Sequence, residues 1–400
     1  MVPVSTRVLR CNPAAIHFHT NVDEPEITCP ETLSALKIAS HHLVDLSEPV
    51  AFPTETVYGL GAMALSASAS TRIFTTKGRP VDNPLIVHVS SHTMLNSLLP
   101  DGYVLSRAYR ALIKHFWPGA LTLLFPRNPA IVPNIITAGH SSVAIRMPSH
   151  PVARALIAVA NVPLAAPSAN SSGKPSPTRA EHVLQDLDGK ISVILDGGAC
   201  EVGLESTVVD GLHEDGKLRI LRPGGITVES IRRILEKEMR DCNEIPDVLV
   251  HRRDYADEEM ESAPTTPGMK YRHYAPSVPL TLLMTTSPPP TSEPIISISQ
   301  LFDSLRTRTT QSLKVGILAP TDSALWEMLP SDGFEWHRYP LGPAAEPAVS
   351  AHRLFHGLIT LEREGVDLMF IEEMKEDREG LAVMNRVRKA AGNIRWIADK

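Results

Sequence analysis

The chain is poor in the groups that build the commonest recognisable sites. It has four cysteines, Cys11, Cys29, Cys200 and Cys242, far apart and with no CxxC pair. That excludes a disulfide framework and a thiolate zinc site, and a reducing compartment fits best. No GxxxxGK[ST] loop exists, because Gly173–Lys174 runs into Pro175. No GxGxxG follows a strand; Gly59–Leu60–Gly61 is a fragment of that pattern. GxSxG and HExxH are also missing. His17 and His19 form an HxH pair with no third ligand near them, which suits a strand face better than a metal site. The most apolar stretch, Pro151–Pro167, is interrupted by Arg154, Asn161 and Pro163 and is too short to span a bilayer, so no membrane role is expected. Neither sign of charge dominates: 39 basic against 45 acidic residues give −6. A surface gripping nucleic acid or an anionic membrane throughout is disfavoured, and a local basic pocket is not.

What is present is length and proline. Four hundred residues predict two or three domains, burying about three quarters of the unfolded surface. Apolar residues at 43% and charged residues at 21% fit folded cores. The 34 prolines exceed a usual ~5%. Eight of them (Pro264, Pro267, Pro276, Pro279, Pro288, Pro289, Pro290, Pro294) crowd into one stretch. It follows an acidic run, DYADEEME (254–261), and holds a basic-aromatic patch, PGMKYRHYAP (267–276). This divides the chain into an N-terminal tail (1–24), a large domain (25–250), a linker (251–294) and a C-terminal domain (295–400). Residues 1–22 carry Arg7 and Arg10 and no acid, the composition of a transit peptide, although a frayed tail is the plainer reading.

Apolar spacing predicts helices at 31–46, 66–76, 105–116, 152–160 and 228–239, and strands at 49–53, 85–89, 121–125, 143–147, 164–166, 191–195, 207–210 and 218–221. TETVYGLGA (54–62) is too rich in Gly and Thr for a regular element. After the linker the reading gives strands at 313–318 and 368–372 and helices at 347–364 and 380–391, with Gly392 as a C-cap. Asn385, Arg386 and Arg388 could form a docking face, but a solvated helix end is the plainer reading. Interleaved strands and helices make both domains α/β.

Several loops could carry chemistry. Lys77–Gly78–Arg79–Pro80 puts two cations at a helix end; Pro80 and Pro84 stiffen the loop and Asn83 adds an amide. Ordinary helix capping would explain the cations, and so would a phosphate chain. His88 lies in the apolar run LIVHV, where a buried ring needs a partner and a core histidine is the alternative. Arg146 ends the strand VAIRM, at the strand end where α/β sheets bind ligands; it could clamp a carboxylate or form a salt bridge. Ser168–Gly173 is a small polar loop of the kind that presents N–H groups to anions. Arg222–Pro223–Gly224–Gly225 precedes a helix capped by Thr227.

Eight segments, PTETVYGLGA (53–62), KGRPVDNPLIVHV (77–89), WPGALTLL (117–124), VAIRMPSHP (143–151), APSANSSGKPSPT (166–178), LDGG (195–198), ESTVVD (205–210) and LRPGGIT (221–227), together resemble the YrdC-like family of threonylcarbamoyl-adenylate synthases. They run in family order over about 175 residues. The remainder resembles the long, two-domain branch. The resemblance implies a twisted mixed sheet with an open concave groove, a linker, and a small Rossmann-like domain. It implies a nucleotidyltransferase that condenses L-threonine, bicarbonate or CO2, and ATP to threonylcarbamoyl-AMP and pyrophosphate. The product would serve threonylcarbamoyladenosine formation in tRNA, through a downstream transferase machinery and with at most weak tRNA contact. By the same resemblance threonine is held by Thr56, His88, Arg146 and Ser206. The nucleotide is held by Lys77, Arg79, Asn83, Thr122, Ser168, Asn170, Arg222 and Tyr274, with Lys77 and Arg79 on the phosphates as the catalytic pair. Thr122 could equally be structural. No protein-held metal is expected, Mg²⁺ arriving on the ATP phosphates. His273 and Tyr274, between prolines, are expected in a lid over the site. The cytoplasm, with a mitochondrial share left open, is the expected compartment. The competing readings are an RNA-binding module using the same basic groove, and a transferase using carbamoyl phosphate; the larger proteins of that second kind carry zinc fingers, whose CxxC pairs are missing here.

Overall fold

The structure is a computed structural model. It describes residues 5–20, 22–241, 244–257, 264–267, 273–290, 292–306 and 312–398. Cys242, the end of the acidic run and the middle of the basic-aromatic patch (268–272) therefore lie outside the described residues. The chain forms two compact units: Met1–Ser172 with Ser176–Lys270, and Gly173–Pro175 with Tyr271–Lys400.

The first unit contains β1 (Arg7–Arg10), β2 (Ile16–His17), β3 (Glu26–Ile27), β4 (Val50–Phe52), β5 (Gly59–Met63), β6 (Ile86–His88), β7 (Leu121–Pro126), β8 (Ser142–Arg146), β9 (Leu164–Ala165), β10 (Val193–Asp196), β11 (Thr207–Asp210), β12 (Leu218–Arg222) and β13 (Val248–Val250). Among the described residues eleven of these strands form one mixed sheet, in the order β1-β10-β4-β5-β9-β6-β8-β7-β11-β12-β13. Part of it is covered on both faces. Val193 and Leu195 of β10 join a core with the helices Pro30–Val44 and Pro151–Ala160, while Ile194 between them joins a second core with Ala180–Leu187. Alternate residues thus both bury apolar surface, which is why these strands read as continuous apolar runs.

Two readings are corrected here. Residues 7–10 are not a tail: β1 pairs in parallel with β10. Gly59–Met63 is a regular strand between β4 and β9. Its glycine content reflects close packing, since a Cβ on Gly61 would lie 2.5 Å from a ring carbon of Phe52.

The second unit is a parallel sheet of β14 (Leu280–Met284), β15 (Ile295–Ser297), β16 (Leu313–Ala319), β17 (Phe334–Pro340), β18 (Leu368–Glu372) and β19 (Asn393–Ala398). Its order is β15-β19-β14-β18-β16-β17, with every pairing parallel. Within the expected linker 251–294, Leu280–Met284 is a regular strand, β14. The first part of that stretch belongs to the first unit, and β14 is an inner strand of the second. Gly392 is not a C-cap either: the helix Glu379–Ala390 is capped at Ala391, and the Gly392 N–H donates to Leu280 O. That helix end is solvated only in part, with Arg388 exposed and Asn385 half-buried. Arg386 is fully buried beneath the Tyr274 ring, and Arg388 pairs with Glu376.

Candidate active site

Strand order, not chain order, assembles the polar groups. β6, β8, β7, β11 and β12 are neighbours. Their registers align His88 with Arg146, Arg146 with Thr122, Thr122 with Val208, and Val208 with Arg222. Side chains directly opposite one another across a sheet share a face, so His88, Arg146, Thr122 and Arg222 stand in one row. Two residues along, the same face carries Ile86, Ala144 and Leu124, an apolar floor. The row is buried: His88 is 3% exposed, Arg146 4%, Thr122 0% and Arg222 3%.

The buried charges have partners. Arg146 Nη1 donates to Thr56 Oγ1 at 2.8 Å and Nε to Gly119 O at 3.1 Å. Its Nη2 lies 2.6 Å from Glu55 Oε1, close enough for an ion pair but not aligned as a hydrogen bond. Glu55 Oε2 in turn accepts from the Ser149 and His150 N–H groups. Thr122 and Ser206 join hydroxyls at 2.7 Å. Arg222 Nε and Nη2 both donate to Ser206 O, and Nη1 donates to Pro267 O. Gly224 permits this packing, because a Cβ there would lie 2.2 Å from Glu205 O. His88 Nδ1 faces Ile86 O at 3.1 Å and so carries the proton. Burial, reinforced by Arg146, pushes the His88 pKa from 6.5 down to about 3, so the ring is neutral.

A second group sits on the loops around β6 and β9. Ser66 and Gly78 cap the helix Ala67–Lys77, Gly78 in the left-handed region at φ 60°. The buried Lys77 ammonium donates to Ser168 O and Asn170 O. Burial, then Arg79, holds its pKa well below the usual lysine value. Arg79 donates to Asn83 O and Pro84 O, which fixes the stiff loop. The buried Asn83 side-chain carbonyl has no partner among the described residues, as expected where a ligand supplies one. The Thr56 loop joins the two groups, since Ala169 N donates to Tyr58 O.

Thr56, His88, Thr122, Arg146, Ser206 and Arg222 thus converge, and so do Lys77, Arg79, Asn83, Ser168 and Asn170. Tyr274 and His273 belong to the second unit. The Tyr274 ring is packed inside the second unit, 5.3 Å from Phe355 and stacked on His273 at 4.2 Å, with φ 68°. Sequence reasoning missed Glu55 and Glu205. Both carboxylates are buried; Glu205 accepts from Ser176 Oγ at 2.6 Å. Their signal was an acid directly beside a site residue, Glu55 beside Thr56 and Glu205 beside Ser206.

A basic row at strand ends of a mixed α/β sheet defines a protein that positions and neutralises its substrates. Comparison with known proteins narrows the class. The family Sua5/YciO/YrdC, described as "Telomere recombination", matches residues 43–224, and the family described as "Threonylcarbamoyl-AMP synthase, C-terminal domain" matches 226–392. The threonylcarbamoyl-AMP synthase of Schizosaccharomyces pombe is 42% identical over 94% of this chain and 92% of its own length. That of Bacillus subtilis is 41% identical over 86% and 90%. The chain belongs to the threonylcarbamoyl-AMP synthase family. Among solved structures, Pyrococcus abyssi Sua5 complexed with L-threonine superposes with a TM-score of 0.74 at 36% identity, covering 99% of this chain and all of that one (100%).

Proposed function

We propose that the chain condenses L-threonine, bicarbonate or CO2, and ATP to threonylcarbamoyl-AMP and pyrophosphate, for threonylcarbamoyladenosine formation in tRNA. The observation that carries this is family membership over nearly the whole chain, together with a buried basic row of the kind the reaction needs. The threonine amine takes up CO2, forming a C–N bond and releasing a proton. A carbamate oxygen then attacks the α-phosphorus; the bond to the β-phosphate oxygen breaks and pyrophosphate leaves. No enzyme nucleophile is required, so catalysis is positioning and charge neutralisation.

In this proposal Arg146 receives the threonine carboxylate, exchanging part of its contact with Glu55, while Thr56 and Ser206 offer hydroxyls. Lys77 and Arg79 meet the phosphates, with Arg222 beside them. A phosphate next to Lys77 would restore the charge that burial opposes, and an ammonium has a third N–H beyond the two given to the loop carbonyls. The neutral His88 shapes the threonine end without adding charge. Asn83, Thr122, Ser168 and Asn170 line the nucleotide end. A protein-held Mg²⁺ does not fit: Glu55 and Glu205, the buried carboxylates flanking Thr56 and Ser206, are committed to Arg146 and Ser176. The ion would enter on ATP and offset phosphate charge, and no step here is routed through it.

The segment 264–278 is retained as a lid in this proposal. Its support is the stiffness that Pro264, Pro267 and Pro276 give a segment carrying cations and aromatics. Cytoplasm, with a mitochondrial share, is the proposed compartment; among the described residues no helix is long and apolar enough to cross a membrane. The test is incubation with ATP, labelled bicarbonate and threonine. A labile labelled adenylate and pyrophosphate should form together. Pyrophosphate without threonine, or no labelled adenylate, would overturn the reading. Tyr274→Ala should raise hydrolysis of ATP or of the adenylate relative to product retained, and unchanged hydrolysis removes the lid.

A further inference from the structure

The second unit has a cavity of its own, about 780 Å³, within the roughly 300–1,000 Å³ usual for small-molecule sites. It is walled by the segments that leave the carboxyl ends of β14, β16 and β18. In the sheet order β16 is followed outward by β17 at the edge, whereas the chain after β18 returns past β14 to β19. The gap between β16 and β18 is therefore where the crossovers diverge, the place where open parallel sheets bind ligands.

The chemistry of the wall excludes the usual occupant. Backbone N–H groups after the first strand of such a sheet commonly hold a phosphate. Here Thr286 N and Ser287 N are taken by the protein's own Glu373, whose Oε1 also accepts from Thr286 Oγ1 at 3.0 Å. These bonds keep the Glu373 carboxyl below its usual range although burial opposes them, so the anion position is filled by a carboxylate. Asp322, across the gap, accepts from Ala344 N at 2.8 Å. Both acids are thus supported by neutral donors and leave negative charge facing the cavity, with Glu372 beside them; of the other charged residues in the wall, Lys375 pairs with Asp377 at 2.8 Å and Glu376 with Arg388. Leu325, Met328 and Ile397 supply apolar lining.

We propose that this cavity binds a small organic cation, an amine whose ammonium group meets Asp322 and Glu373 and whose carbon chain lies on Leu325 and Met328. The assignment stands apart from the synthase reading, since its residues all lie in the second unit.

The experiment is calorimetric titration of the full-length protein with spermidine and with agmatine, at low and high salt, with adenosine as a neutral probe. At least one amine should bind at a single saturable site with Kd of about 1 mM or below at low salt, and more weakly at high salt. Asp322→Asn should weaken binding about tenfold, the effect of about 1.4 kcal/mol, and Met328→Trp, which fills the cavity, should abolish it. Urea midpoints identify a variant that has simply unfolded, and Asp322→Asn decides if Met328→Trp does. No saturable binding of either amine, binding unchanged in both variants, or adenosine bound in place of the amines would overturn the proposal.

Discussion

The two units use the same α/β physics and treat buried charge in opposite ways. In the first, a mixed sheet gathers His88, Arg146, Thr122 and Arg222 into one row above an apolar floor. Its cations are held by carbonyls and hydroxyls, and Arg146 also by the Glu55 carboxylate. In the second, a parallel sheet fills its strand-end N–H groups with its own Glu373. One sheet presents positive charge where an anion can approach, and the other has satisfied its anion position internally. The difference teaches that strand-end geometry alone does not make a phosphate site; the charge that closes the end decides.

Changes to this charge arrangement should divide along the same line. The largest effect is expected at Lys77. Lys77→Met, which keeps the volume, should cut pyrophosphate release about 100-fold or more while leaving the urea midpoint near wild type, whereas Glu373→Gln should leave pyrophosphate release alone and lower stability. A loss of pyrophosphate release in Glu373→Gln as large as that in Lys77→Met would dissolve the contrast.

Arg146→Ala leaves Glu55 buried without its cation and should cost about 3–5 kcal/mol. Adding Glu55→Gln should recover much of the stability and none of the affinity for threonine. The threonine KM should rise more than the ATP KM, and equal rises would argue against a carboxylate clamp. Ser206→Ala, which strands the Thr122 hydroxyl, should cost about 1–3 kcal/mol, measured by urea unfolding.

The remaining effect is pH-dependent. His88 has a pKa near 6.5 when unfolded and about 3 when folded. Between those values the unfolded chain binds the proton and the folded chain does not, so stability falls as pH drops from 6.5 toward 3 and is level above. The slope from this residue is at most about 1.4 kcal/mol per pH unit. Burial shifts His150 in the same direction, so the difference between wild type and His88→Gln isolates the His88 share. Identical slopes would mean that His88 is not held neutral.

Local chemistry made much of this legible. Apolar periodicity located most helices and strands of the first unit, and Ser66, Thr227 and Gly78 marked helix ends because their own backbone and side-chain preferences create the caps. β14 was hidden because the proline-rich stretch around LTLLM outweighed five residues whose burial comes from neighbours distant in sequence. Arg386 looked solvent-facing because its position in the chain says nothing of Tyr274 lying over it.

The amino-acid order by itself determined the segment chemistry: which loops carry cations, which runs are apolar, and which family the eight motifs resemble. Only the tertiary structure decided that His88, Arg146, Thr122 and Arg222 share one row, because strand order and register are set by packing among residues far apart in the chain. It alone decided that Glu55 faces Arg146 and that Glu373 occupies its own sheet's anion position. A buried charge must find its partner wherever the fold puts one, and sequence distance does not limit that choice.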